Sequence, residues 1–332
     1  MSILSDRLFS LKGKKVWVAG HNGMVGSALV RRLMAEDCEI LTVERPILDL
    51  MDETKVLEWM TDARPDVIFV AAARVGGILA NNSYPAFFLH ENLVIQNNII
   101  HSAHLTDVGK LIFLGSSCIY PRAATQPIPE EALLTGPLEA TNEWYAVAKI
   151  AGIKMCQAYR AQYSHDFISA MPTNLYGEKD NYDLETSHVA AALMVKMHRA
   201  KVEKQKNVEI WGTGTPLREF LHVDDLADAL VFLAENYSDD MHINVGSGME
   251  ISILELAELL AEIVSFRGEY TFDRSKPDGT PRKLMDSSKL KRLGWAPKLT
   301  LREGMAQAYD AYQQLPAVAN GAMQHSSTKT ME

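Results

Sequence analysis

One nine-residue turn restricts this chain more than any other stretch. AGHNGMVGS, residues 19–27, sets Gly20, Gly23 and Gly26 at three-residue intervals. It follows KKVWVAG (14–20), a β-branched and aromatic run that reads as a buried strand. It opens MVGSALVRRLMAED, which has helical periodicity. Glycines at such a junction allow a tight turn, close approach of a pyrophosphate to the backbone, and close helix–strand packing. The helix N-terminus adds unpaired N–H groups and a partial positive charge. A glycine triplet alone matches many plain turns. Between the first strand and first helix of a βαβ unit, it is expected to bind a dinucleotide.

The same alternation continues. CEILTVE (38–44), DVIFVAAA (66–73), KLIFLGSS (110–117) and DFISAMP (166–172) read as further strands. DETKVLEWMTDAR (52–64), the stretch after Pro85, and NEWYAVAKIAGIKMCQAYRAQY (142–163) read as helices between them. The expected fold class is α/β, a Rossmann-type doubly wound parallel sheet over residues 1–177. After about residue 177 the elements shorten and interleave. A smaller α/β substrate lobe is expected over 178–318, exchanging some segments with the first. The small, polar residues of 319–332 are expected to be a disordered tail.

Composition excludes several classes. The 332 residues are 47% hydrophobic and 23% charged, with a formal net charge of −9, as in a folded soluble protein. No basic stripe suggests nucleic acid; KVEKQKN (201–207) is short and reads as a solvated helix end. The longest apolar run, DVIFVAAARVGGILA (66–80), is broken by Arg74 and too short to span a bilayer. The N-terminus does not read as a signal peptide. Three cysteines, Cys38, Cys118 and Cys156, form neither a disulfide framework nor a CxxC pair. A reducing, cytoplasmic setting is expected. His101, His104 and His198 lack carboxylate or cysteine partners at ligand spacing and read as structural, with no metal.

The end of the second strand should meet the adenosine ribose. An acid there favours the free 2′-hydroxyl of NAD, and an arginine accepts the 2′-phosphate of NADP. The chain offers both, Glu44 and Arg45. Asp49 and Asp52 are each open between capping the next helix and touching the adenine, with Asp52 the better cap.

YAVAK puts Tyr145 and Lys149 four apart, on one helix face. A tyrosine hydroxyl ionises near 10, too high for ready proton transfer at pH 7, and a nearby ammonium lowers that value. Ser116, closing the neighbouring strand, is placed to share the substrate oxygen. GxxGxxG, GSS and YxxxK together resemble the extended short-chain dehydrogenase/reductase family. AGHNGMVGSA, AAARVGGILANN, LGSSCIYP, NEWYAVAKIAG, MPTNLYG, SHV, GTGTPLREFLHVDD and KPDGTPRK narrow the resemblance to its GDP-4-keto-sugar epimerase/reductases, over residues 14–315.

That resemblance implies NADP (NADPH) as cofactor. It implies conversion of GDP-4-keto-6-deoxy-D-mannose to GDP-L-fucose, by epimerisation at carbons 3 and 5 and then hydride reduction of the carbon-4 ketone. Sister reactions of the GDP-colitose or GDP-deoxyheptose type are the nearest alternatives. A non-catalytic NADP-sensing module is a further one, although a sensor could dispense with Tyr145, Lys149 and Ser116 together. The resemblance puts Ser116, Tyr145 and Lys149 in a reductive triad, and Cys118 and His188 in an epimerase acid/base pair. To the cofactor it assigns Gly20, Asn22, Gly23, Met24, Val25, Gly26, Arg45 and Asp49. It adds Leu114, Gly115, Ser116, Ser117 and Lys149, then Pro172, Thr173, Asn174, Leu175 and His188. To the GDP-sugar it assigns Lys196, Trp211, Arg218 and Asp278. It also implies a homodimer through the helices near 85–106 and 140–162.

The chemistry explains why a cysteine would be wanted. A carbon-4 ketone acidifies the hydrogens at carbons 3 and 5. Inversion needs one group to remove a proton and another to return one on the opposite face. Thiol and imidazole both exchange protons near neutrality. For an arbitrary cysteine the packing reading is better, and Cys38 and Cys156 take it. His188 is open between acid/base work, helix capping and phosphate binding. Arg218 suits a diphosphate or a salt bridge to Asp224 or Asp225. Trp211 either stacks on guanine or closes the core, Lys196 is possible solvated surface, and Asp278 is equally a turn residue.

Overall fold

The structure, a computed structural model, describes residues 8–184, 186–276 and 278–319. Apart from Ala319, the expected disordered tail lies outside the described residues. In chain order the first half runs β1 (Lys15–Ala19), α1 (Met24–Leu33), β2 (Glu39–Leu41), α2 (Glu53–Ala63), β3 (Val67–Val70), α3 (Ile78–Ser83), α4 (Pro85–Leu105) and β4 (Lys110–Leu114). A 3₁₀ turn, Ser117–Ile119, precedes α5 (Glu143–Tyr163), β5 (Phe167–Pro172) and β6 (Asn174–Tyr176). The second half runs α6 (Val189–Val202), β7 (Asn207–Trp211), β8 (Leu217–His222), α7 (Val223–Asn236), β9 (Ile243–Val245), β10 (Glu250–Ser252) and α8 (Ile253–Val264). It ends with β11 (Glu269–Asp273), β12 (Arg282–Lys283), α9 (Ser288–Leu293), α10 (Leu301–Gln313) and α11 (Pro316–Ala319).

Six strands form one parallel sheet in the order β2-β1-β3-β4-β5-β9. Its strands are near-continuous apolar runs because both faces are covered. Alternate residues divide between the faces. Val16, Val18, Phe69, Ile112 and Ile168 pack towards α1 and α7. Trp17, Ile68, Val70, Phe113 and Met171 join the cluster of Ile99, Ile100 and Ile153 from α4 and α5. Strand order reverses about β1, so the crevice beyond the ends of β1 and β3 is the place for a nucleotide.

β9 and α7 come from beyond residue 177 yet complete this unit. Lys110, fully buried at the start of β4, donates to Asp166 Oδ2 at 2.7 Å and to the Tyr237 carbonyl at 2.5 Å. That pairing ties the C-terminal end of α7 to the sheet. A third core, built from α6, α8 and α10, supports a smaller sheet in which β8 pairs with β6, β10 and β12. β7 and β11 pair separately. Capping boxes at Ser252 and Thr300 start α8 and α10, each satisfying two otherwise unpaired donors.

Candidate active site

Backbone geometry explains two of the three loop glycines. Gly20 has φ +87°, and a Cβ there would lie 2.7 Å from the backbone of Ala72. A Cβ on Gly26 would lie 2.0 Å from the Gly20 carbonyl oxygen. Gly23 has no such conflict: its Cβ would meet only the Gly20 oxygen, at 3.5 Å. It is exposed at the N-cap of α1, with no side chain capping the helix. Met24 and Val25 form the first turn, half-buried. The turn therefore presents bare backbone and an open helix end, which fits a dinucleotide pyrophosphate.

Of the two charges past the end of β2, Glu44 is tied to the glycine turn. Glu44 accepts from Asn22 Nδ2 at 2.8 Å and lies 3.2 Å from His21 Nε2. Arg45 is exposed beside it. Asp52 caps α2, accepting from the Lys55 N–H at 3.1 Å. Asp49 accepts from the Met51 N–H at 3.0 Å, so its carboxylate shapes the local turn.

β4 ends at Leu114, and Gly115 and Ser116 carry the chain into the 3₁₀ turn. Ser116 caps that turn, its Oγ accepting from the Cys118 N–H at 3.3 Å; Ser117 is buried beneath. Tyr145 and Lys149 rise from the first two turns of α5. Lys149 Nζ donates to the Leu114 carbonyl at 2.8 Å and lies 4.8 Å above the Phe113 ring. Burial brings its pKa down to about 7. Tyr145 corrects an expectation: its phenol is pushed above the ordinary tyrosine value, not below it. Burial is the main cause, charge on Cys118 adds to it, and a hydrogen bond with Ser116 opposes it. Lys149 is not among the causes: its amine donates to the Leu114 carbonyl and stands 5.9 Å from the Tyr145 ring centroid.

Cys118 is half-buried and free, and its sulfur accepts from Asn142 Nδ2 at 3.3 Å and Lys283 Nζ at 3.6 Å. His188 precedes α6 in extended conformation, and its side chain makes no capping bond. The capping reading therefore does not describe it. Although His188 is exposed as a residue, desolvation of its ring lowers its pKa, and Lys283 lowers it further. Cys156 is buried in α5, its thiol pushed up to about 12 by burial. His101, His104 and His198 bond to Tyr159, His165 and Tyr309.

Pro172–Leu175 joins β5 to β6 beside these groups. The Thr173 N–H donates to the Val245 carbonyl at 3.1 Å, and Asn174 Nδ2 to the Glu219 carbonyl at 2.7 Å. In the second lobe, Trp211 is 42% exposed, so it does not close the core. Lys196 and Lys276 lie over its ring, at 4.9 and 5.1 Å. Lys196 Nζ donates to the Glu209 carbonyl and lines a cavity of about 300 Å³ with Leu184, Asn207 and Thr271. Arg218 donates to the carbonyls of Leu217 and Asp278. It does not pair with Asp224, which holds Arg31, or with Asp225, which accepts from the backbone of Lys298 and Leu299. Asp278 accepts from the Thr213 N–H and hydroxyl, locking its loop to the turn after β7.

The chain matches the NAD dependent epimerase/dehydratase family model over residues 16–246. The chain belongs to that family. Among epimerase/dehydratase relatives, GDP-L-fucose synthase 1 of Arabidopsis thaliana is 59% identical over 302 residues, covering 91% of this chain and 94% of that protein. A solved GDP-L-fucose synthetase from Naegleria fowleri bound to NADP superposes with TM-score 0.86 at 27% identity, covering 93% of this chain and 97% of that one. A solved GDP-6-OMe-4-keto-L-xylo-heptose reductase from C. jejuni has TM-score 0.86 at 37% identity, covering 91% and 98%. Within the epimerase/dehydratase frame, sequence reasoning missed Asn142 and Lys283. Both lie in stretches it singled out, NEWYAVAKIAG and KPDGTPRK, but nothing in their spacing points at a sulfur.

Proposed function

We propose that this chain is an NADPH-dependent GDP-4-keto-6-deoxy-D-mannose 3,5-epimerase/4-reductase that forms GDP-L-fucose. One observation carries the reading. Ser116 Oγ accepts from the Cys118 N–H at 3.3 Å, and Tyr145 stands close enough to feel both residues. Proton exchange at carbon and reduction of the adjacent ketone can then use one bound sugar. The 59% identity to a GDP-L-fucose synthase, against 37% to the heptose reductase, favours the fucose product.

In this reading the ketone oxygen sits against the Tyr145 and Ser116 hydroxyls. Cys118 and His188 exchange protons at carbons 3 and 5 from opposite faces, and Tyr145 and Ser116 hold the enolate oxygen. When bound, the cofactor supplies the hydride for carbon 4. Tyr145 keeps its proton because its pKa is high, and so can give that proton to the carbon-4 oxygen. Lys149 holds the start of α5 against β4 and donates to the ribose. The glycine turn takes the pyrophosphate, Arg45 the 2′-phosphate, and Pro172–Leu175 the nicotinamide side. Lys196, Trp211, Arg218 and Asp278 take the GDP end.

The full reading also has residues 1–177, plus exchanged segments, as the cofactor lobe and 178–318 as the substrate lobe. It includes a cytoplasmic homodimer. No helix among the described residues is long and apolar enough to cross a membrane.

The test is isotopic. With the keto sugar in deuterated water, Cys118→Ser should slow deuterium uptake at carbons 3 and 5 while carbon-4 reduction survives. A serine hydroxyl is far less acidic than a thiol and cannot exchange protons readily near pH 7. Unchanged exchange would make Cys118 a packing residue, and NMR of the product fixes which sugar is made.

A further inference from the structure

The mechanism above leaves unexplained why a half-buried cysteine collects two nitrogen donors. A neutral thiol sulfur is a weak acceptor. Here Asn142 Nδ2 points at it from 3.3 Å and Lys283 Nζ from 3.6 Å. The two donors come from unrelated parts of the fold. Asn142 is the N-cap of α5. Lys283 is fixed in β12, registered against Arg218 of β8. Asn142 spends its amide on the sulfur even though its own Oδ1 stays buried without a partner. Leaving a buried acceptor unpaired costs about 1–3 kcal/mol, so the arrangement makes physical sense if the sulfur carries charge.

The surrounding charges support the same assignment. The cleft around Cys118 is lined by Ser117, Tyr120, Arg122, Glu139 and Thr280, as well as the two donors. Arg122 and Glu139 face each other at 3.2 Å and largely cancel. Tyr145 stands on the α5 side as a neutral phenol. His188 approaches from α6, where Lys283 disfavours its cationic form. Lys283 itself has no carboxylate within 4 Å among the described residues, so its ammonium meets the sulfur uncompensated; its ladder neighbour Arg218 bonds only to carbonyls and feels Asp278 and Glu139. We infer that Asn142 and Lys283 are positioning residues that stabilise the Cys118 sulfur when it gives up its proton, with Lys283 supplying the counter-charge. The inference deepens the proposed function and rests on Cys118 being an epimerase acid/base. Lys283 then does two things at once: it offsets the charge that forms on the sulfur, and it limits how long His188 can keep a proton it has taken.

The experiment reads the sulfur directly, without turnover. Carbamidomethylation of Cys118 by iodoacetamide is followed by peptide mass spectrometry from pH 5 to 10, on the full chain and its variants. Lys283→Gln should move the half-maximal pH up by about one unit and cut the rate at pH 7 about tenfold, as the loss of one favourable charge at this distance implies. Lys283→Arg should restore most of the shift. Asn142→Ala should move it in the same direction by less, since it removes a dipole and not a charge. The limiting rate at high pH should stay constant across the variants, and thermal melts confirm that they are folded. An unmoved midpoint in Lys283→Gln overturns the inference, and so does a changed limiting rate with an unmoved midpoint, which would make the two residues shields against solvent. Failure here is distinguishable from failure of the proposed function. If Cys118→Ser abolishes deuterium uptake while the alkylation profile ignores Lys283, only the stabilising role of the two donors falls.

Discussion

At the scale of single residues, the site keeps a buried amine at a cost. Lys149 is 3% exposed, and its pKa of about 7 lies well below the ordinary lysine value. The unfolded chain therefore binds more protons between pH 7 and about 10.4. Stability tied to this residue rises with pH across that window, and its penalty is fully present below pH 7. Lys149→Met should remove a penalty of a few kcal/mol and destroy reductase activity. In melts from pH 6 to 10, the variant's gain in Tm should be largest at pH 6 and shrink towards pH 10. A gain independent of pH would mean that the amine is charged at no cost. Tyr145→Phe makes the complementary case: ketone reduction should fall ~10²–10⁴-fold with the melting curve scarcely moved.

Tyr145, Lys149, Ser116 and the glycine turn were legible from sequence because each sits at a fixed spacing within one element or at its end. Glu44 and Arg45 were visible but not their arrangement, since the bond from Asn22 to Glu44 crosses 22 residues. Lys283 is 165 residues from the sulfur it meets. Only the parallel pairing of β12 with β8 brings it there, and no local pattern encodes that register. The direction of the Tyr145 shift was misjudged for a related reason: the sequence reveals that a lysine is near, but not that its amine points at Leu114.

At the scale of elements, the long helices of the first half were readable nearly to their ends, but α3 and the helices after α8, among them the 13-residue α10, were not expected, and β2 shrank from the expected CEILTVE to Glu39–Leu41. β2 is the edge strand, paired only with β1. Past Leu41 the chain leaves the ladder and turns to the glycine loop through Glu44. The glycine turn allows a sharper prediction, because its glycines differ in kind. Gly26→Ala forces a Cβ to 2.0 Å from the Gly20 oxygen, so the turn must open. It should cost at least about 2 kcal/mol and remove NADPH binding, as read by nucleotide fluorescence. Gly23→Ala meets only an ordinary contact. It should leave the melting temperature within a degree or two yet still weaken NADPH, because on the proposed reading the new methyl would face the pyrophosphate. Equal loss of stability in both would show that the turn is strained throughout.

At the scale of the whole molecule, the six-stranded sheet and the half that follows residue 177 are not separable pieces of sequence. α7 lays Leu226, Leu230 and Leu233 on the same core as Val18, Leu29 and Leu33 of the first βαβ unit, and β9 closes the sheet beside β5. A fragment of residues 1–177 should therefore lack fixed packing: near-UV dichroism should be weak and amide protons of β4 and β5 should exchange quickly. A rigid fragment would show that α7 and β9 only decorate a unit already complete.

That braiding has a consequence for how the protein is born. Leu290 and Trp295 also pack into the first core, so although β1 has β2 and β3 beside it early, most of the polypeptide must leave the ribosome before that core is complete. Vectorial synthesis cannot bank the nucleotide-binding half as a finished domain. Until then the face of the first strands that α7 covers is shielded by α1 alone. A premature stop codon near residue 220, far downstream of the glycine turn and the tyrosine, would be felt first as failure of the sheet that carries them.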